Sequence, residues 1–116
     1  MRRNREETTE ILVGKETKIT LNRFPTDFKV ASYDMKGPLH IVLDYGESNN
    51  KLNMYVSLKN TKASMYEHDI KHLRCQSEKI IIPCADKFLV PFIFWSMEIA
   101  DSRKAVKVTV TVTYPA

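Results

Sequence analysis

Within residues 105–114, hydrophobic and polar side chains alternate strictly from Val106 onwards. Valines and a final tyrosine occupy one parity after Ala105, and a lysine and three threonines occupy the other. Because successive side chains of a β-strand point to opposite faces, this pattern predicts a strand with one buried and one solvated face. The β-branched residues also suit a half-buried pleated surface. The segment therefore predicts a sheet that covers a hydrophobic core.

Similar patterns recur along the chain between turn-forming residues. We predict further strands in 11–13, 16–21, 28–31, 39–45, 52–58, 79–82 and 88–97. Between residues 62 and 74 the pattern is compatible with at most one short helical turn, or with a long ordered loop. Seven or eight short strands with regular turns predict an all-β fold, an antiparallel β-sandwich of jelly-roll-like topology.

The strands at 39–45 and 52–58 form the clearest pair. Both alternate, and the Gly-, Ser- and Asn-containing loop between them is typical of a hairpin, so we predict that they pair directly. In this register Tyr55 lies on the face opposite the leucine, methionine and valine side chains. It is therefore exposed unless another element covers it.

The run 88–97 is apolar on both parities, which predicts a strand that is buried on both sides. Pro91 donates no backbone hydrogen bond, so we place it at an edge or a bulge. Trp95 in the same run has two interpretations, a core filler or a contact residue.

The length of 116 residues fits one domain. We predict a flexible charged tail at 1–10 and a single β-sandwich domain at 11–116. No apolar run approaches the roughly 18 residues that a membrane helix needs. The start of the chain has arginines followed by glutamates and no apolar stretch typical of a secretory signal. We therefore expect a cytoplasmic protein, or a domain of a longer chain.

The net charge is +4, a mild bias towards acidic partners. Lysines and arginines are dispersed and interleaved with acids, so no specific nucleic-acid binding is expected. The pair Cys75 and Cys84 is either reduced or linked, and the sequence leaves both states open.

One cluster has the residue types of a zinc site, namely His68, His72, Cys75 and Cys84. The spacing H-x3-H-x2-C-x8-C matches no standard zinc finger. We therefore predict no metal and no cofactor, with this four-residue site as the alternative. No G-x-S-x-G or Gly-rich phosphate motif occurs either, and we predict that the protein is not an enzyme.

The stretch 39–114 resembles the pre-peptidase C-terminal (PPC) type of β-sandwich. The matching features are the strand at 40–43, the strand Leu-Asn-Met-Tyr-Val at 52–56, Tyr66 with Asp69, and the Val- and Thr-rich strand at 106–114. The resemblance implies an accessory binding or folding module without catalytic activity.

The chain departs from the PPC pattern before its Met-Tyr-Val strand. The acidic residues that serve calcium in that family correspond here to Asn50, Lys51 and Asn53. The resemblance therefore does not extend to calcium binding.

These observations favour a non-catalytic docking module that binds another protein, inside a larger cytoplasmic or cytoskeletal assembly. The contact candidates are amphipathic aromatic residues and lysines on or beside the strands, namely Tyr55, Tyr66, Trp95, Lys59 and Lys51. The alternative is an accessory module for glycan or anionic lipid. There the aromatic rings stack on the ligand, and loop residues such as Asn49, Asn50 and Lys51 orient it.

Overall fold

The computed structural model describes residues 8–31, 38–44, 51–75, 79–82, 91–100 and 105–113. All regular secondary structure in these ranges is β-strand. The nine strands are β1 (Thr8–Glu10), β2 (Thr17–Leu21), β3 (Thr26–Ala31), β4 (Leu39–Asp44), β5 (Leu52–Ser57), β6 (Ile70–Cys75), β7 (Lys79–Ile82), β8 (Phe92–Ile99) and β9 (Val106–Thr113). The all-β prediction is confirmed.

The strands form two sheets. The five-stranded sheet has the order β1-β3-β8-β5-β6, and the four-stranded sheet has the order β2-β9-β4-β7. Neighbouring strands are antiparallel except β1 and β3, which run parallel. Buried side chains from both sheets form one hydrophobic cluster, so the sheets pack face to face as the predicted sandwich.

The core follows the period of two that the sequence shows. In β9 the valines face inward while Lys107 is exposed, and in β5 alternate residues enter the same core from the other sheet. The buried residues of these two strands that join the core are Val106, Val108, Val110, Val112, Leu52, Met54 and Val56. Burying each such side chain contributes about 1.5–3 kcal/mol, which makes this alternation the main determinant of the fold.

Trp95 lies at the centre of the core. Its strand, β8, is the middle strand of the five-stranded sheet, and its side chain is fully buried. Its ring stacks on Phe28, with centroids 5.7 Å apart and an interplanar angle of 21°. The interpretation as a core filler is confirmed, and the prediction that Trp95 contacts a partner is wrong because this parity of β8 faces inward.

The predicted hairpin between 39–45 and 52–58 is also wrong. β4 pairs with β7 and β9, whereas β5 pairs with β6 and β8, so the two strands lie in opposite sheets. Alternation requires only that each strand turn its apolar face to the core, and a strand on either side of the sandwich satisfies that requirement. Residues 45–50 between them lie outside the described residues.

Several element boundaries differ from the prediction. The first strand is Thr8–Glu10, inside the predicted tail, and residues 11–13 follow it. Residues 70–75 form a strand and not a helical turn. β8 begins directly after Pro91, so the proline precedes the strand and costs it no backbone hydrogen bond.

The chain changes sheets at nearly every step. Of the eight connections between successive described strands, seven join one sheet to the other. The exception is the connection between β5 and β6, which are hydrogen-bonded neighbours at the edge of the five-stranded sheet. The loop between β5 and β6 therefore joins two neighbouring strands of one sheet, whereas the other seven connections between described strands cross from one sheet to the other.

Candidate docking site

The loop at 58–69, between β5 and β6, is held at both ends by one aspartate. Asp69 accepts a hydrogen bond from Leu58 N through its Oδ2 at 2.7 Å, and its own N donates to Val56 O at 2.8 Å. Its Oδ1 lies 3.4 Å from Lys59 Nζ. Because Leu58 and Asp69 are the first and last residues of the loop, these contacts close it on the end of β5.

The tip of the loop turns on Ser64. Its Oγ accepts hydrogen bonds from Tyr66 N at 3.2 Å and Glu67 N at 3.1 Å, and its N donates to Glu67 O at 2.8 Å. The carbonyl oxygen of Ser64 lies 2.9 Å from His68 Nδ1, which donates because a carbonyl only accepts. This turn leaves Met65 55% exposed and Tyr66 86% exposed.

Further contacts fix the rest of the loop. Asn60 has a positive φ of 60°, and its Oδ1 accepts a hydrogen bond from Phe92 N at 3.2 Å. Ala63 is buried, and the hydroxyl groups of Ser57 and Thr61 are 3.3 Å apart. The loop is thus tied to both β5 and β8 by defined hydrogen bonds.

Tyr55 lies beneath this loop. It has the outward parity that the sequence predicts, since it is buried yet absent from the core cluster that contains Met54 and Val56. The ring of His68 covers it at a centroid distance of 5.3 Å, which leaves Tyr55 only 5% exposed. The expected cover by another element is therefore present, and Tyr55 supports the surface from below without being part of it.

The electrostatics of Tyr55 follow from this cover. Burial, and to a smaller extent the carboxylate of Glu98, raise the pKa of its hydroxyl above the ordinary value of 10.0. A tyrosine of ordinary pKa is already neutral near pH 7, so the raised pKa has its effect only in alkaline solution.

A polar cavity of about 260 Å³ opens beside the loop. It is lined by Ser57, Lys59, Thr61, Tyr66, Glu67, His68 and Asp69. The loop thus brings together two of the predicted contact residues, Lys59 and Tyr66, with hydroxyl groups and charges of both signs.

We call the exposed part of this region, formed by Lys59, Met65, Tyr66 and Glu67, the loop surface. Lys51 precedes β5 at the opposite end of that strand, where its carbonyl oxygen accepts a hydrogen bond from Ala100 N at 2.7 Å. It is therefore separate from the loop surface. Asn49 and Asn50 lie outside the described residues, so the glycan alternative that uses them stays a prediction.

The four candidate metal ligands are spread over different elements. His68 belongs to the loop, His72 lies opposite Met54 in β6, and Cys75 lies at the end of β6 with its Sγ 3.3 Å from Leu52 O. Cys84 lies outside the described residues. Within the described ranges, no group of three or more His, Cys, Asp and Glu side chains is placed to hold a metal ion.

Sequence reasoning singled out Asp69 only beside Tyr66, as a feature of the PPC resemblance, and it did not identify Asn60 or Ser64. Asp69 and Asn60 bond to residues 11 and 32 positions away, which no local pattern encodes. Ser64 bonds to the backbone of Tyr66 and Glu67 in a local turn that serine favours. That preference was an available signal for an ordered turn at Ser64.

Two stacked sheets with an ordered loop at the edge of one of them define a β-sandwich module. A scan against protein-family models found no match for the chain, and a search of curated proteins found none either. A search of solved structures matched the 1.0 Å crystal structure of the pre-peptidase C-terminal domain of a collagenase from Bacillus anthracis.

That match covers 96% of this chain and 99% of the collagenase domain, with a TM-score of 0.59 and 9% sequence identity. The chain therefore has a PPC-like fold, as the resemblance of its strands implies. At this identity the likeness concerns the fold alone. In the described residues, no helix is long and apolar enough to cross a membrane.

Proposed function

We propose that this protein is a non-catalytic docking module and that it binds another protein through the loop surface. The observation that carries the proposal is the 86% exposure of Tyr66 on a loop that is otherwise held by hydrogen bonds. Tyrosine is enriched among the residues that dominate binding energy at protein interfaces, because its ring buries a large area while its hydroxyl group still finds a partner.

The rigidity of the loop supports this role. A contact residue on an ordered loop loses little conformational entropy on binding, so more of its interaction energy appears as affinity. Met65 adds apolar area beside Tyr66, and a thioether side chain adapts to irregular partner surfaces.

The charges around Tyr66 support recognition of a protein partner. Lys59 and Glu67 both line the cavity, are exposed and carry opposite charges. Charges at the rim of an interface mainly orient the partner and select against wrong ones. A place in a larger cytoplasmic assembly belongs to the same proposal, and the accessory role that the PPC resemblance implies is consistent with it.

The test compares two exposed aromatic residues at opposite ends of the sandwich. Phe24 is 47% exposed and lies two residues after Asn22, whose carbonyl oxygen accepts a hydrogen bond from Ile99 N at the end of β8. The loop at 58–69 instead contacts Phe92, at the start of β8. Eight residues of strand put these ends about 23 Å apart. Tyr66→Ala and Phe24→Ala therefore form a matched pair.

We expect quantitative affinity capture to find a protein that wild type and Phe24→Ala retain and Tyr66→Ala loses. With that partner purified, Tyr66→Ala should weaken binding by about tenfold or more, as for a dominant interface residue. Phe24→Ala should bind within about twofold of wild type. A partner that Tyr66→Ala retains, or that both variants lose equally, would contradict the proposal.

A further inference from the structure

A second and larger cavity lies on the other sheet. It has a volume of about 450 Å³ and is lined by three consecutive residues from each of two paired strands, β2 and β9: Lys18, Ile19, Thr20, Lys107, Val108 and Thr109. The loop surface belongs to the five-stranded sheet, so this cavity is a separate feature of the molecule.

The strand register places four polar side chains around this cavity. Lys18 lies opposite Thr109, and Thr20 lies opposite Lys107. All four have the parity that faces away from the core, since Val108, between the two β9 residues, is buried. Side chains directly opposite have Cβ atoms about 4.5–5.5 Å apart, and diagonal ones about 7–8 Å. The four residues form a frame with lysines at one diagonal and threonines at the other.

The two lysines of this frame form no ion pair with a carboxylate within the described part of the chain. Lys59, in contrast, pairs with Asp69, and Lys29 lies over the ring of Phe92 at 4.5 Å. The cavity therefore concentrates unpaired positive charge on a chain whose net charge is +4.

Two acidic residues lie nearby without lining the cavity. Asp44 lies opposite Thr109 on β4, two strands away from Lys18, and Glu16 immediately precedes β2. Two strand spacings correspond to about 9.6 Å, so the carboxylate of Asp44 approaches the frame from the side of Thr109. Asp44 is also the diagonal neighbour of Lys107, and Glu16 lies two residues before Lys18 with the same parity. Each lysine of the frame therefore has one carboxylate at a neighbouring position outside the cavity lining.

We infer that this frame binds a phosphate group, either as free phosphate or as the monoester headgroup of a lipid. Two ammonium groups and two hydroxyl groups offer donors from four sides, which suits a tetrahedral dianion with several acceptor oxygens. Lysine is a common phosphate ligand that acts as a point charge, and charge-assisted hydrogen bonds are the stronger class. The site is independent of the loop surface and does not rest on the docking proposal.

The first test is a titration of the whole protein with inorganic phosphate, followed by amide NMR. The pH is kept at about 8, where the dianion dominates both for inorganic phosphate and for phosphate monoesters, whose second pKa is about 6. The ionic strength is held constant with sodium chloride. We expect saturable shifts at Thr20 and Thr109. Chemical shifts that change linearly with phosphate concentration would overturn the assignment. So would the same non-saturating shifts in sodium sulfate or sodium chloride at equal ionic strength.

Variants localise the effect. The double variant Lys18→Met and Lys107→Met keeps the aliphatic stems and should weaken phosphate binding by about tenfold, as expected for two exposed ion pairs. Lys79→Met is the matched control, because Lys79 is exposed at the opposite edge of the same sheet, on β7 opposite Val42. It should bind within about twofold of wild type. Equal weakening in both variants would overturn the assignment.

Vesicles distinguish the two sources of phosphate. Wild type is sedimented with vesicles of phosphatidylcholine, with and without phosphatidic acid. If wild type binds vesicles that contain phosphatidic acid and the double lysine variant does not, the ligand is a lipid headgroup. If wild type binds inorganic phosphate but no vesicles, the ligand is a soluble phosphate. Vesicle binding that survives in the double variant, or no response to either probe, contradicts the site.

Discussion

At the scale of single residues, Tyr55 shows how parity and cover together decide the chemistry of a side chain. Its position in β5 turns it away from the core, yet His68 lies over it and leaves it 5% exposed. The sequence predicts the parity because alternation is local. The cover is not predictable in this way, because it depends on a loop that folds back over the strand.

The raised pKa of Tyr55 has a measurable consequence for stability. Because the folded state holds the phenolic proton more tightly than the unfolded chain, the unfolded chain ionises first as the pH rises through about 10. The contribution of this group is fully present below that pH and is lost as the pH rises towards the folded pKa. Wild type should therefore lose more stability than Tyr55→Phe above about pH 10.

Urea unfolding of both proteins between about pH 8 and pH 11 tests this prediction. All other titrating groups are common to both, so their effects cancel in the difference between the two curves. Curves that remain parallel over this range would show that Tyr55 titrates alike in the folded and unfolded states.

At the scale of elements, the loop at 58–69 depends on Asp69, which binds the backbone at both ends. Asp69→Ala removes the acceptor for Leu58 N and the partner of Lys59. We expect it to lower the free energy of unfolding by about 1–2 kcal/mol, mainly through the lost hydrogen bond, and to speed hydrogen exchange at Leu58.

Glu67→Ala is the control for this change. It removes a carboxylate from the same loop, but the contacts that hold Glu67 run through its backbone. Its free energy of unfolding should stay within about 0.5 kcal/mol of wild type, and exchange at Leu58 should be unchanged. Equal effects of the two variants would mean that Asp69 does not hold the loop.

The elements that the sequence predicts well include β2 and β9, which alternate without interruption. The strand β7 is predicted as well, as a short apolar run that Pro83 closes. The edge strand β6 escapes prediction because a bulge interrupts it: Leu52 pairs with Cys75 and Met54 with His72, so Asn53 faces two residues. One of these, Arg74, has a positive φ of 56°. An extra residue shifts the period by one, and no simple alternation remains.

β1 escapes prediction for a different reason. Its residues Thr8–Glu10 are polar and show no alternation, and they gain their order from parallel pairing with β3. Such pairing joins segments that are far apart in the sequence. Composition and period therefore predict a tail where the structure has an edge strand.

At the scale of the whole molecule, the sandwich was predictable and the strand order was not. Alternation determines which side chains face the core, and strands that each have one apolar face predict two sheets packed around a common interior. It does not determine which strand lies next to which, since β4 and β5 bury equivalent faces from opposite sides. The chain's repeated passage between sheets is thus a property that the pattern leaves open.

This strand order determines where function is proposed. Because β5 and β6 stay in one sheet, their loop lies at the edge of the five-stranded sheet, while β2 and β9 form the cationic frame on the other sheet. The two proposed sites therefore do not compete for space.

The most direct test of this arrangement is the set of Hα–Hα nuclear Overhauser effects between strands. We predict effects between β4 and β9, around Ile41 and Val112, and between β5 and β8, around Met54 and Met97. Direct contacts between the backbones of β4 and β5 should be absent. Strong Hα–Hα effects between β4 and β5 would show that these strands form a hairpin and would contradict the strand order of both sheets.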